Sequence, residues 1–144
     1  MAIERFMNEF RWLSNFAPVK VTHGGMTFDS VEHAYQAAKT TDPRFRVQIQ
    51  ACVFPGYAKR MGKRAPLRGD WDAIKLSVML DLTQQKFSDR IYRQLLIETG
   101  EEEIIEGNHW GDVYWGVCNG VGENHLGKII MRVREEIRPL SRGS

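Results

Sequence analysis

The most constraining feature of the sequence is a short stretch at residues 29–39 that predicts a helix with a chemically varied polar face. Asp29 or Ser30 can cap this helix, because short polar side chains accept hydrogen bonds from the free N–H groups of a first turn, and a glutamate three residues after Asp29 fits a capping box. Helical spacing places four polar side chains on one face, namely Glu32, Tyr35, Gln36 and Lys39. From the residues alone, this face is either exposed to solvent or part of a functional site.

The length and composition indicate one ordinary globular domain. A chain of 144 residues with 42% hydrophobic content can bury a single core. We expect one domain over residues 1–140 and a loose tail at residues 141–144. The net charge of +2 is too small to indicate a nucleic-acid-binding protein from bulk electrostatics.

Cysteine spacing and hydropathy predict a cytoplasmic protein. Cys52 and Cys118 form no CxxC motif, so we expect reduced thiols. The charged residues Glu4 and Arg5 interrupt the segment in which a signal peptide would be apolar, and no run of roughly 18 apolar residues is present. We therefore expect neither export nor insertion into a membrane.

Local patterns predict a mainly α-helical fold. Apolar and polar residues alternate on both sides of a His-Gly-Gly turn, which predicts a β-hairpin over residues 19–28. Further helices are predicted to begin at Asp42-Pro43, Asp70, Ser88 and Asn124. Residues 114–118 are predicted to be extended. Residues 45–53 also fit the period of a strand, but the Asp-Pro start favours a helix that Pro55 and Gly56 end. The patterns together predict a single compact helical domain of about six helices with a few short β-strands.

Several motifs resemble the signature of the NADAR family. The segment FRWLSNF at residues 10–16 is followed by SVEHAYQAAK at residues 30–39. Later segments fit in the family's order: DW at 70–71, KF at 86–87 with ETG at 98–100, and DVYWG at 112–116. The resemblance covers nearly the whole chain. It implies an N-glycosidase that cleaves a ribose–base bond, an activity described for phosphorylated riboflavin-pathway intermediates and for ADP-ribose attached to guanine.

Three residues are candidates for the chemistry of such a reaction. Cleavage of a C1′–N bond passes through an oxocarbenium-like transition state, which a negative or nucleophilic group near C1′ stabilises. Glu32 and Lys39 lie about 10 Å apart along a helix axis and can bracket a ribose, although such a pair often never meets. The resemblance implies that Lys39 forms a Schiff base with the opened sugar, which requires a lowered pKa. Asp112 is expected to stabilise the oxocarbenium charge or orient water, or else to be a turn residue after glycine.

The candidate binding residues are aromatic, polar and basic. Trp115 is expected to stack on a planar base, and Trp71 is either a second base contact or part of the core. The basic run from Lys59 to Arg68, with Arg64 and Arg68 as its substrate contacts, is expected to bind phosphate, unless it is a solvated surface loop. The remaining predicted substrate contacts are Arg11, Asn15, Tyr35 and Gln36.

Metal and cofactor chemistry are not indicated. The four histidines form neither an H-x-x-H nor an H-E-x-x-H motif, and no phosphate-binding P-loop is present. We therefore expect a metal-independent and cofactor-independent N-glycosidase. Its partner is expected to be a small ribosyl nucleotide or an ADP-ribosylated base, either free or within nucleic acid. The alternative is a non-catalytic module that binds ADP-ribose or a nucleotide.

Overall fold

The computed structural model describes residues 2–139, and it confirms a mainly α-helical domain with a few short strands. Its helices are a 3-10 helix at Asn8–Leu13 and six α-helices: α1 Val31–Ala38, α2 Pro43–Gln50, α3 Pro55–Arg64, α4 Trp71–Lys86, α5 Arg90–Glu98 and α6 His125–Ile137. The strands are β1 Pro18–His23, β2 Met26–Ser30, β3 Gly107–Asn108 and β4 Val117–Cys118. The tail predicted at residues 141–144 lies outside the described residues, as does residue 140. No described helix is long and apolar enough to cross a membrane.

The predicted hairpin is confirmed and leads directly into α1. Strands β1 and β2 pair antiparallel, with Val21 opposite Phe28 and His23 opposite Met26. Gly24 and Gly25 connect them, and both have positive φ angles, which glycine adopts without steric cost. The hairpin therefore fixes the direction in which α1 enters the core.

Ser30 caps α1, and a buried histidine locks the cap in place. The Ser30 hydroxyl accepts a hydrogen bond from the His33 backbone N–H at 3.1 Å. The His33 ring contacts the same hydroxyl through Nδ1 at 2.7 Å and the Cys52 carbonyl through Nε2 at 2.9 Å. Because a carbonyl can only accept, Nε2 carries the proton and Nδ1 accepts from Ser30. Ser30 is therefore the cap, and the alternative capping box of Asp29 with Glu32 does not form.

Helix α1 lies at the centre of the domain. It packs against α2, α3, α4 and the β1–β2 hairpin, and every one of its residues is buried. The interpretation of its polar face as solvent-exposed is therefore wrong. Helix α3 approaches α1 closely at Gly62, where an added Cβ would overlap the Gln36 carboxamide. This close approach keeps the polar side chains of α1 away from solvent on that side.

Three predicted boundaries are corrected by the structure. Pro55 occupies the first turn of α3, where its missing N–H costs nothing, so it begins a helix after the break and most of the basic run is helical. Helix α5 is capped by Asp89, whose carboxylate accepts from the N–H groups of Ile91 and Tyr92, and not by Ser88. Of the extended segment predicted at residues 114–118, only Val117–Cys118 forms a strand.

The loop before α6 is held by backbone pairing and by one asparagine. Strands β3 and β4 pair in parallel. At the start of the loop, the Ile3 N–H donates to the Glu103 carbonyl at 2.7 Å, and the Ile3 carbonyl accepts from the Ile105 N–H at 2.8 Å. Asn124 precedes α6 as predicted, but its side chain bridges to the Glu106 N–H and the Ile104 carbonyl, both at 2.9 Å. These bonds bring the N-terminal segment and the loop together opposite α1.

Candidate active site

A cleft of about 1130 Å³ opens between α1 and the loop at residues 104–120. The wall formed by α1 carries Glu32, Tyr35, Gln36 and Lys39. The wall formed by the loop carries Glu106, Asn108, Trp110, Asp112 and Trp115. Residues from the N-terminal segment, including Arg5 and Asn15, complete the rim together with Lys59 of α3. The structure thus gathers most of the sequence-predicted site residues around one opening.

Glu32 is a buried carboxyl with defined partners. Its carboxylate accepts a hydrogen bond from Gln36 Nε2 at 2.6 Å, and its backbone N–H donates to the Asn15 carbonyl at 3.0 Å. Burial raises the pKa of Glu32, although the Gln36 hydrogen bond and the nearby ammonium groups of Lys59 and Lys39 oppose this effect. Glu32 is therefore able to exchange protons nearer neutral pH than an exposed glutamate.

Lys39 ends α1 at the edge of the cleft and is partly buried. Burial lowers the pKa of its amine, and the positive charges of Lys59 and Lys63 lower it further, whereas Glu32 acts in the opposite direction. Its Nζ lies 5.4 Å from the centre of the Tyr35 ring. A larger fraction of Lys39 is therefore neutral at a given pH than for a lysine in water, as a nucleophile requires.

Tyr35 and Trp115 connect the two walls. The Trp115 indole N–H donates to the Tyr35 hydroxyl at 3.0 Å, and the two rings meet edge to face with centres 5.7 Å apart. Burial raises the pKa of Tyr35, so it remains a neutral phenol. Trp71 packs against the other side of Tyr35, with ring centres 5.2 Å apart, and is buried in the core. Trp71 supports the cleft from behind and does not line it.

Asp112 lies in a turn whose geometry fixes its carboxylate. Its Oδ1 accepts from the backbone N–H groups of Tyr114 at 3.1 Å and Trp115 at 2.9 Å. Asn108 secures the turn, because its side chain accepts from the Asp112 N–H at 3.0 Å and donates to the Asp112 carbonyl at 2.8 Å. The two roles considered for Asp112 are therefore compatible, since the turn holds the carboxylate at the cleft.

Glu106 is a cleft residue that sequence reasoning missed. It is only 8% exposed, and burial together with the neighbouring Asp112 carboxylate raises its pKa to about 7. The sequence gives one indication that Glu106 is buried, because it directly follows the apolar pair Ile104-Ile105. That signal is weak, since a glutamate after a buried strand more often points to solvent.

The basic run divides into a part that reaches the cleft and a part that does not. Lys59 lines the cleft, and its Nζ lies 5.5 Å from the centre of the Trp110 ring. Arg64 and Arg68 do not line it. Arg68 forms an ion pair with Asp70 at 2.7 Å, and its backbone N–H donates to the Lys39 carbonyl at 2.8 Å. Arg68, which follows α3, thus stabilises the end of α1. Arg64 does not line the cleft because helical spacing turns only one side of α3 toward the opening.

The remaining predicted contacts are also divided. Asn15, Tyr35, Gln36 and Trp115 line the cleft, whereas Arg11 of the 3-10 helix does not. The carboxamide oxygen of Gln36 is buried and has no hydrogen-bond partner within the described chain. Among residues 2–139, no cluster of three or more His, Cys, Asp or Glu side chains is arranged to hold a metal ion.

Comparison with known proteins gives a consistent result. Residues 4–138 match the NADAR domain family. The N-glycosidase Npun_R5314 of Nostoc punctiforme is 38% identical over 134 residues, which cover 88% of this chain and 85% of that protein. The N-glycosidase YbiA of Shigella boydii is 36% identical over 128 residues, which cover 86% of this chain and 79% of that protein.

Two further relatives extend the comparison to structure and to a longer protein. The NMR structure of YbiA from E. coli superposes with a TM-score of 0.82 at 32% identity and covers 95% of this chain and 83% of that one. The riboflavin biosynthesis protein VVA0006 of Vibrio vulnificus is 34% identical over 131 residues, which cover 88% of this chain but 35% of that protein.

Proposed function

This chain belongs to the NADAR domain family and is an N-glycosidase, and we propose that it hydrolyses the ribose–base bond of a phosphorylated ribosyl substrate through a Schiff base on Lys39. The observation that carries the proposal is the position of the Lys39 amine, which lines the cleft together with the carboxyl groups of Glu32 and Asp112. An amine and two carboxylates at one opening supply the nucleophile and the negative charge that ribosyl cleavage requires.

The reaction begins with attack of the neutral Lys39 amine on C1′. The C1′–N bond to the base breaks and its electron pair leaves with the base, which takes up a proton. The C1′–O4′ bond then opens, so that O4′ becomes a hydroxyl and C1′ is held as an imine on Lys39 Nζ. Water adds to the imine, releases the sugar as an aldehyde and regenerates the amine.

The two predicted carboxylates have different surroundings and so different roles. Glu32 lies on the same wall as Lys39 and exerts an electrostatic effect on its amine, so it is suited to accept the proton that Lys39 loses. The carboxylate of Asp112 is held in place by two backbone N–H groups. A fixed negative charge at this position stabilises the positive charge that develops at C1′ and O4′.

The aromatic and basic residues of the cleft match the two ends of such a substrate. Trp115 and the 56%-exposed Trp110 present rings on which a planar base can stack. Lys59 and Arg5 supply positive charge for phosphate.

Two substrate classes remain candidates, and each has support. The name of the Vibrio vulnificus relative supports a phosphorylated riboflavin-pathway intermediate. The surface outside the cleft supports an ADP-ribosylated base within nucleic acid, because every charged residue from 43 to 69 is Lys or Arg. In addition, Phe54 and Tyr57 are exposed, and the Arg60 guanidinium lies 4.9 Å from the Tyr57 ring. Exposed aromatic rings beside cations are typical of single-strand binding surfaces.

The test is to incubate the purified protein with phosphorylated riboflavin-pathway intermediates, with free ADP-ribosylated guanosine and with the same base in a single-stranded oligonucleotide. Release of the free base, detected by mass, is expected for at least one of them. Faster release from the oligonucleotide than from the free nucleoside would favour the nucleic-acid substrate. Tight binding without release in every case would instead identify a non-catalytic nucleotide-binding module.

A further inference from the structure

Glu106 occupies a position in the cleft that none of the steps assigned to Glu32, Lys39 and Asp112 uses. Its side chain lines the loop wall, where Asn108 Nδ2 lies 3.4 Å from its carboxyl oxygen. An added Cβ on Gly116 would overlap both the carboxyl and the backbone carbonyl of Glu106. The carboxyl therefore packs directly against the Trp-Gly segment that carries Trp115, the residue expected to hold the base.

We propose that Glu106 is the general acid that protonates the departing base. This inference rests on the proposed N-glycosidase function and names the residue that completes its first step. As the C1′–N bond breaks, the electron pair goes to the base and the Glu106 carboxyl transfers its proton to the base. Glu106 is left as a carboxylate and is protonated again by the water that hydrolyses the imine, so the cycle returns every group to its starting state.

The surroundings of Glu106 favour a protonated carboxyl. Burial and the like charge of Asp112 both disfavour its ionised form, and only the Asn108 hydrogen bond and the more distant Lys59 ammonium act in the opposite direction. Two backbone N–H groups hold Asp112 Oδ1 and so fix this neighbouring carboxylate in place. Glu106 is therefore a carboxyl group beside a fixed carboxylate, which disfavours a second negative charge.

The other proton donors at the cleft are less suitable. Tyr35 is a weak acid here, because burial raises the pKa of its hydroxyl. Glu32 accepts a hydrogen bond from Gln36 and lies on the wall of the Lys39 amine, so its ionised form has partners. Glu106 is therefore the group on the loop wall, next to the base-binding tryptophan, that can hold a proton near neutral pH.

The test compares leaving groups that need a proton with one that does not. Glu106→Gln keeps the size of the side chain and removes the acid. With a substrate whose base leaves as an anion unless protonated, kcat is expected to fall by about a hundredfold or more, the range of general acid catalysis. With nicotinamide mononucleotide, whose base leaves as a neutral molecule without protonation, or with a series of bases of increasing acidity, the loss should shrink to a fewfold.

The pH profile supplies a second readout. The wild-type rate on the substrate whose base must be protonated to leave is expected to fall as pH rises through about 7, because Glu106 loses its proton there, and Glu106→Gln should remove this limb. Glu103→Gln, an exposed glutamate three residues away, is the matched control and should behave as wild type. Thermal unfolding of each variant separates loss of the fold from loss of the acid.

The outcomes distinguish the two proposals. Equal losses for all leaving groups, or an unchanged high-pH limb in Glu106→Gln, would overturn the assignment of Glu106 while the N-glycosidase function stands. Wild-type protein that releases no base from any substrate would overturn both proposals. A variant that unfolds is replaced by Glu106→Asp, which keeps an acid and should retain the pH limb with a reduced rate if the assignment is correct.

Discussion

Lys39 and Lys86 are two lysines of the same domain whose pKa burial lowers, yet they lie in very different places. Lys86 is 2% exposed, its Nζ donates to the Ser14 carbonyl at 2.8 Å, and it lies 5.3 Å and 5.2 Å from the ring centres of Phe87 and Tyr92. Its pKa is lowered to about 7 by burial alone. Lys39 is only partly buried, lies at the edge of the cleft and is influenced by Glu32.

The difference teaches that a lowered pKa does not by itself identify a nucleophile. A nucleophilic amine also needs room for a substrate and a nearby group that accepts its proton, and Lys39 has both. Lys86 instead holds the carbonyl of Ser14, and the next residue, Asn15, accepts from the Glu32 backbone N–H at 3.0 Å. We therefore interpret Lys86 as a structural residue that positions the rim of the cleft, and the following predictions test this contrast.

The largest effect is expected for Lys39→Ala. Removal of the nucleophile should lower kcat by roughly a thousandfold or more while the fold and most of the phosphate-dependent affinity remain. Base release measured alongside thermal unfolding and substrate binding checks this expectation. Lys63→Ala is the matched control, because it removes a nearby positive charge that does not line the cleft. If stability fell together with activity, Lys39 would be a structural lysine like Lys86.

Covalent trapping is expected to distinguish the two lysines directly. Borohydride reduces an imine to a stable amine, so treatment during turnover should leave the sugar attached to the peptide that contains Lys39. The peptide that contains Lys86 should remain unmodified, since its amine is buried and bonded to the Ser14 carbonyl. Peptide mapping by mass spectrometry measures both. Repeated failure to trap any adduct would favour acid–base catalysis without a Schiff base.

The contrast between local and tertiary information also explains which features the sequence could predict. The hairpin and α1 were predictable because alternation, glycine turns and caps act within a few residues. The varied polar face of α1 was also visible in the sequence, but the residues alone left both a solvent-exposed face and a site open. These features depend on chain neighbours, which the sequence displays directly.

Features that depend on packing could not be predicted in the same way. The environment of Glu106 is created by Asp112, Gly116 and the Asn124 bridge. These residues lie further along the chain and approach Glu106 only when the loop folds. Likewise, only the orientation of α3 decides that Lys59 faces the cleft and Arg64 does not. Burial of Lys86 at the end of α4 is a third example, since a lysine in a last helical turn usually faces solvent.

An effect of intermediate size is expected in the pH dependence of stability. The pKa of Lys86 in the folded state, about 7, lies below its unfolded value of 10.5. Between these two values the unfolded chain binds one more proton at this site, so the free energy of unfolding should rise with pH by up to about 1.4 kcal/mol per pH unit from this group. Below the lower value the contribution is flat.

Lys86→Met isolates this contribution because it keeps the length and removes the titration. Chemical unfolding of wild type and variant at pH 7.5 and 9.5 should show a wild-type stability that rises relative to the variant by about 2 kcal/mol. All other titrating groups are common to both proteins and cancel in the difference. Parallel pH dependences would mean that Lys86 is protonated in the folded protein and that burial has not changed its charge.

The smallest effect is expected at the phosphate contacts, where Lys59 and Arg64 repeat the contrast between a cation at the cleft and one outside it. Lys59→Gln should raise KM for a phosphorylated substrate by about tenfold, equivalent to about 1.4 kcal/mol, with little change for the dephosphorylated analogue. Arg64→Gln should change neither of these KM values.

Lys59 also helps to lower the pKa of Lys39. Lys59→Gln should therefore raise that pKa and shift the ascending limb of the rate profile toward higher pH, whereas Arg64→Gln should leave the profile in place. Steady-state kinetics between pH 6 and 10 measure both effects, and an equal response of the two variants would mean that overall positive charge on α3, and not access to the cleft, determines phosphate binding.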